Sequence, residues 1–157
     1  MDGGRSRGRG RTLCSYGHRS RGDPLSEIAR AGDSGRGPLD DFVSSLVDAA
    51  CHGAEEKLAL DVVVLDLRAL VDSFDVLVIA SGRNDRQVRA IVEEIERVVA
   101  RDTGARPMRV EGLSGGEWVA MDYGDVIVHV FDEETRAYYD LEHLWNAARV
   151  LRRTPTT

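Results

Sequence analysis

The run from Trp118 to Phe131, WVAMDYGDVIVHVF, constrains the fold of this chain most, because its pattern fits a β-hairpin closed by a tight turn. Val119 to Met121 and Val126 to Phe131 carry the β-branched and apolar residues of strands, and Asp122, Gly124 and Asp125 supply turn chemistry between them. The same hairpin gathers aromatic and acidic side chains in one small patch. Whether that patch is a reaction site or a docking surface is the question the rest of the sequence must answer.

Upstream segments predict the partners of the hairpin. Leu39, Phe42, Val43, Leu46, Val47 and Ala50 recur at helical spacing, which predicts an amphipathic helix to about Lys57 with Pro38 in its first turn. Val62 to Leu67 and Phe74 to Ala80 read as strands, the second almost wholly apolar and so expected at the centre of a sheet with both faces covered. Val88, Ile91, Val92, Ile95, Val98 and Val99 trace one stripe of a long helix. Asn84 with Gln87 three residues on is a capping-box signature for its start, and Gly104 can terminate it. Met108 to Glu111 is a short strand, followed by a loop from Gly112 to Gly116. A last helix is predicted over Leu141 to Leu151, where Leu141, Leu144, Trp145 and Ala148 share a face. The resulting order α-β-β-α-β-β-β-α predicts an α/β protein of the α+β type, a mixed five-stranded sheet packed by helices.

Residues 1–37 differ in kind. They are rich in Gly, Arg and Ser, poor in large apolar residues and without periodicity, so they are expected to form a disordered tail ahead of a domain over residues 38–157. A solvated or over-extended start, an RNA-contacting arm and an organelle transit peptide are the readings open for that tail. It holds eight Arg against Asp2, Asp23, Glu27 and Asp33, a net +4; with −6 for the whole chain, residues 38–157 carry −10. An acidic body of that kind repels phosphate backbones and suits a basic protein partner. Lys57 is the single lysine among twenty arginines, a bias that points to a GC-rich genome rather than to a function. Cys14 and Cys51 lie far apart, which argues against a disulfide framework or a thiol-rich zinc site. No apolar run reaches the roughly 18 to 20 residues of a membrane span, and a soluble intracellular protein is expected.

Reactive groups are sparse. Ser81-Gly82, between a buried strand and a helix, is a place where free N–H groups can bind phosphate, but there is no G-x-G-x-x-G and no P-loop lysine. A turn that merely redirects the chain is the simpler reading. Strand, Gly turn and helix on a mixed sheet also resemble the nucleotidyltransferase fold, whose chemistry needs two carboxylates on one strand face to hold magnesium. The strand after the long helix offers only Glu111, and Asp122 and Asp125 stand three apart across a turn, a spacing that does not put them on one strand face. His129 alternates with Val128 and Val130 and reads as a hydrogen-bonded sheet residue; His18, His52 and His143 show no ligand spacing with it. No nucleophile stands out, and no cofactor or metal is expected. Trp118, Tyr123, Phe131, Tyr138, Tyr139 and Trp145, six of the nine aromatic residues, fall in the last forty positions. Phe131 and Trp145 are expected in the core. Tyr123 sits in a turn, where a large ring is seldom needed for folding, and aromatics beside carboxylates are typical anchors against an Arg- or Lys-bearing partner.

Five phrases carry a resemblance: DSFDVLVIASG from Asp72, DRQVRAIV from Asp85, the Glu111-Gly112 pair, the Trp118 to Phe131 run, and YYDLEHLW from Tyr138. Through them the region 38–151 resembles the ribosomal silencing factor family, also called Iojap-like. The resemblance implies a mixed-sheet domain related to nucleotidyltransferases but without their catalytic carboxylates, and hence a protein that is not an enzyme. It implies binding to the large ribosomal subunit through the conventional fourteenth large-subunit protein, at the intersubunit face. Joining of the small subunit is then blocked and translation falls when nutrients are scarce; a role in large-subunit maturation is also associated with the family. Mapped onto this chain, the docking residues are Trp118, Asp122, Tyr123 and Asp125, with Glu111 and His129 beside them. Neither a membrane nor a small-molecule substrate is implied, a homodimer of the free protein is left open, and the location is the bacterial cytoplasm or, in a eukaryotic host, an organelle.

Overall fold

The computed structural model describes residues 37–155. The predicted tail, with Cys14 and His18, lies outside the described residues except for Gly37. Helix α1, Asp41–Glu56, starts where the Asp40 carboxylate accepts the Phe42 N–H at 2.9 Å. Pro38 therefore precedes the helix rather than entering its first turn. The Arg68 guanidinium holds this approach by donating to the carbonyls of Gly37 and Pro38.

Strand β1, Leu60–Asp66, and strand β2, Val76–Gly82, pair antiparallel. Helix α2, Asp85–Thr103, begins at Asn84, whose side chain accepts the Gln87 N–H at 2.9 Å. The Gln87 amide oxygen returns to the Arg83 N–H at 2.7 Å, so the predicted box is closed one residue earlier than expected. Gly104, with φ +77, ends the helix in the left-handed conformation that glycine tolerates.

Strand β3, Arg109–Glu111, and the hairpin of β4, Trp118–Asp122, with β5, Val126–Asp132, follow. Strand β5 then lies parallel to β2, with Val76 opposite Val126 and Gly82 opposite Asp132. That parallel pairing puts the all-apolar β2 at the centre of the sheet, buried along its whole length, as its composition predicts.

The C-terminal end departs from expectation. Helix α3, Glu133–Tyr139, stands where none was predicted, and the last helix shrinks to α4, Leu141–Leu144. Asp140, at φ +44, breaks the two helices apart. Leu141, Trp145 and Ala148 still pack together, as the shared helical face implies, whereas Leu144 is exposed. Residues Arg149–Thr154 form a sixth strand, β6, antiparallel to β1 at the sheet edge. The sheet order is β3-β4-β5-β2-β1-β6, six strands in place of the five expected. An exposed edge strand studded with arginines has no alternating apolar pattern to betray it, and such charge protects an open edge from further pairing.

Alternation of side chains across the sheet divides the core in two. Val62, Val64, Val76, Val78, Ala80, Val119, Met121, Val126, Val128 and Val130 face α1 and α2. Val63, Leu65, Leu77, Ile79 and Phe131 point to the other side, the outer face, under Leu70, Val71, Phe74, Leu141 and Trp145. No helix among the described residues is long and apolar enough to cross a membrane.

Candidate functional site

The hairpin register decides which predicted residues meet. Trp118 opposes Phe131, Ala120 opposes His129, and Asp122 opposes Ile127; on the other side of β4, Glu111 opposes Ala120 and Arg109 opposes Asp122. Their neighbours Val119, Met121, Val128 and Val130 are buried toward the helices, so by strand alternation this set occupies the outer face. Glu111, Trp118, Asp122 and His129 thus share one surface. Arg109 and Glu111 are exposed, and Ala120, Asp122, Ile127 and His129 are partly exposed. Half of the outer face is therefore a core, and the β3-β4-β5 end of it reaches the surface.

Trp118 is fixed in this surface from three directions. Its indole Nε1–H donates to His129 Nδ1 at 2.8 Å, the diagonal reach that a large side chain makes across an antiparallel pair. Its ring stacks on Phe131 with centroids 5.0 Å apart and lies 4.7 Å from Tyr139. Because Nδ1 accepts, the imidazole proton sits on Nε2 and the ring is neutral. Burial agrees, pushing the His129 pKa down to about 4. His129 is a hydrogen-bonded sheet residue, as its alternation predicts.

The turn residues behave unequally. The Asp122 carboxylate accepts the Gly124 N–H at 2.8 Å and shapes the turn. Asp125 is exposed, while its carbonyl ties down the Asp75 and Val76 N–H groups. Burial and then the neighbouring Asp125 charge push the Asp75 carboxyl above its usual range. Tyr123 corrects the expectation placed on it. Its ring packs against the helix-side core, its hydroxyl is buried without a hydrogen-bond partner, and burial, then Glu96, raise its pKa. A turn position implied an outward ring, but the ring folds back onto the core beneath α1 and α2, as the partly buried Val110 and Ala105 also do.

Ser81 also resolves. It is buried, and its hydroxyl accepts from Arg136 Nη1 at 2.7 Å. The same guanidinium donates to the Asp61 carbonyl at 2.7 Å and grips Glu142 through Nε and Nη2 at 2.9 and 2.8 Å. Arg136 is thus a knot joining α3 to β1, β2 and α4, and the Ser81 hydroxyl is engaged in it. Among the described residues, no three His, Cys, Asp or Glu side chains gather as a metal site would need. Sequence reasoning missed Arg109, Ala120 and Ile127, whose place follows from register alone, and Tyr139, which arrives on an unpredicted helix. The signal for that helix was legible: Asp132 caps it by accepting the Thr135 N–H at 2.7 Å, ahead of the acidic pair Glu133 and Glu134.

Comparison with known proteins agrees with this architecture. The chain is 39% identical over 103 residues to "Ribosomal silencing factor RsfS" of Halalkalibacterium halodurans, covering 66% of this chain and 87% of that one. It is 28% identical over 127 residues to the mouse protein "Mitochondrial assembly of ribosomal large subunit protein 1", covering 78% of this chain and 56% of that one. A crystal structure of a Chromobacterium violaceum protein superimposes with a TM-score of 0.63 at 34% identity, over 66% of this chain and 86% of that one. Residues 41–156 match the family described as ribosomal silencing factor during starvation, RsfS, and the chain belongs to that family.

Proposed function

We propose that this chain silences the large ribosomal subunit by docking through the outer face of β3, β4 and β5 and standing where the small subunit must bind. The partner is the conventional fourteenth large-subunit protein, and the action is steric occlusion without chemistry. The observation that carries the reading is the shared face of Glu111, Trp118, Asp122 and His129, in which an indole held by His129, Phe131 and Tyr139 lies on the same surface as two carboxylates. Rigid aromatic anchors ringed by polar groups concentrate binding energy. The charge of −10 on residues 38–157 suits a basic ribosomal protein and disfavours direct contact with RNA phosphates. Asp125 contributes charge at the rim, whereas Tyr123 acts from behind by supporting the turn. The site of action is the bacterial cytoplasm, or an organelle in a eukaryotic host.

Cosedimentation with purified large subunits tests the patch. Trp118→Ala is expected to cost roughly 2 kcal/mol, about thirtyfold in affinity. Asp122→Asn keeps the acceptor for Gly124 but removes the charge, and is expected to weaken binding with a loss of salt dependence. Full binding by both folded variants refutes the surface. The name of the mouse relative favours a second reading, a role in assembling the large subunit. In that case the protein sediments with precursor particles and leaves joining of mature subunits unaffected.

A further inference from the structure

Tyr138 and Tyr139 present aromatic surface to solvent that the core does not need. Tyr138 is 81% exposed and Tyr139 50%, on a helix whose inward face is already held by Arg136. They are not isolated. The two rings meet edge to face with centroids 5.0 Å apart, Tyr139 lies 4.7 Å from Trp118, and Trp118 stacks on the fully buried Phe131. Four rings therefore form a continuous row that is anchored in the core at Phe131 and opens to solvent at Tyr138. Such a row holds the outer rings still at little entropic cost, since each braces the next.

The surroundings of the exposed end are acidic. Glu133, Glu134 and Asp140 flank the two tyrosines along α3 and α4, while Glu142 is engaged by Arg136 and Arg153, and Arg136, the one arginine in that stretch, is buried. Exposed ring faces within an acidic field attract a cationic side chain twice over, through the ring quadrupole and through the field. A nucleic-acid base could also stack there, but its phosphates would meet the carboxylates of Glu133, Glu134 and Asp140.

We infer that Tyr138 and Tyr139 form a second platform, continuous with the docking face through Trp118, that receives an arginine or lysine side chain of the same basic protein partner. This rests on the docking reading above and names the chemistry that reading lacks: a cation on the partner, seated on aromatic rings at the α3 corner.

The test measures affinity for purified large subunits and, separately, for their naked RNA, using the full chain. The double variant Tyr138→Leu/Tyr139→Leu keeps apolar bulk but loses the ring faces, and is expected to bind large subunits about tenfold more weakly. Tyr138→Phe/Tyr139→Phe keeps the rings and is expected to bind within about twofold of the unaltered chain. Unfolding midpoints for both variants establish that the fold is intact. Wild-type affinity in the leucine variant overturns the platform, as does an equal loss in the phenylalanine variant. A tyrosine-dependent component that persists on naked RNA overturns the choice of a protein cation. Trp118→Ala run alongside separates the two readings: if it binds weakly while the leucine variant binds normally, only the platform fails. If both bind normally, the docking face itself fails.

Discussion

Acid should loosen this fold through one imidazole, and the size of the effect can be worked out. His129 has its pKa pushed down to about 4 by burial, against 6.5 for the unperturbed ring. In the folded state its Nδ1 accepts from Trp118 Nε1, so protonation there must break a part-buried hydrogen bond as well as place a charge in a largely desolvated site. The unfolded chain takes up the proton first, which means that stability is lost as pH falls from about 6.5 toward about 4 and levels off below that. Linkage over that interval gives a loss of about 2 kcal/mol between pH 7 and pH 5, and about 3 kcal/mol in full. Urea unfolding at pH 7 and pH 5 measures it, with His129→Gln as the control. Glutamine can still accept from the indole but does not titrate, so the difference between the two proteins removes the contribution of every carboxylate. A variant that loses as much stability as the unaltered chain over this interval would falsify the assignment of a buried neutral imidazole.

Other perturbations follow from named contacts. Gly112 adopts φ +93, and a Cβ there would overlap the Trp118 carbonyl oxygen, so Gly112→Ala is expected to cost about 2 kcal/mol or more; a thermal midpoint unchanged from wild type contradicts this. Arg136→Met removes the donor to the Asp61 carbonyl and Ser81 and leaves Glu142 with Arg153 alone, and is expected to cost about 3 kcal/mol in urea unfolding. A cost near zero would mean that water replaces the guanidinium. Tyr123→Phe removes a buried hydroxyl that has no partner, so stability should hold or rise by about 1 kcal/mol while large-subunit binding is unchanged. A marked loss of binding would put the hydroxyl at the interface after all.

What the sequence revealed was local. The stripe Val88 to Val99 with its Asn84 and Gly104 ends, and the hairpin about Gly124, are written in spacings of a few residues, and the folded chain keeps them. The parallel pairing of β2 with β5 is a contact between segments some fifty positions apart, and no short-range pattern encodes it. Strand β6 was hidden because Arg149, Arg152 and Arg153 leave its apolar pair Val150 and Leu151 looking like the end of a helix. Its arginines instead reach back to Asp48, Asp61 and Glu142, contacts that only the assembled sheet creates. The site was legible as a list of residues but not as a surface. Trp118, Asp122, His129 and Glu111 could be named from the family resemblance, whereas their common face follows from the register of β3 and β5 on β4. Tyr123 fell on the wrong side because a turn residue has no fixed alternation; its ring goes where the packing leaves a gap.

The matter turns on whether a bound copy of this protein physically excludes the small subunit. Light scattering of mixed large and small subunits, recorded while the protein is titrated in, reads that directly. Steric exclusion requires that the association signal fall as the protein approaches one copy per large subunit, and that Trp118→Ala restore it. A signal that stays at full height while the protein is bound to the large subunit contradicts it.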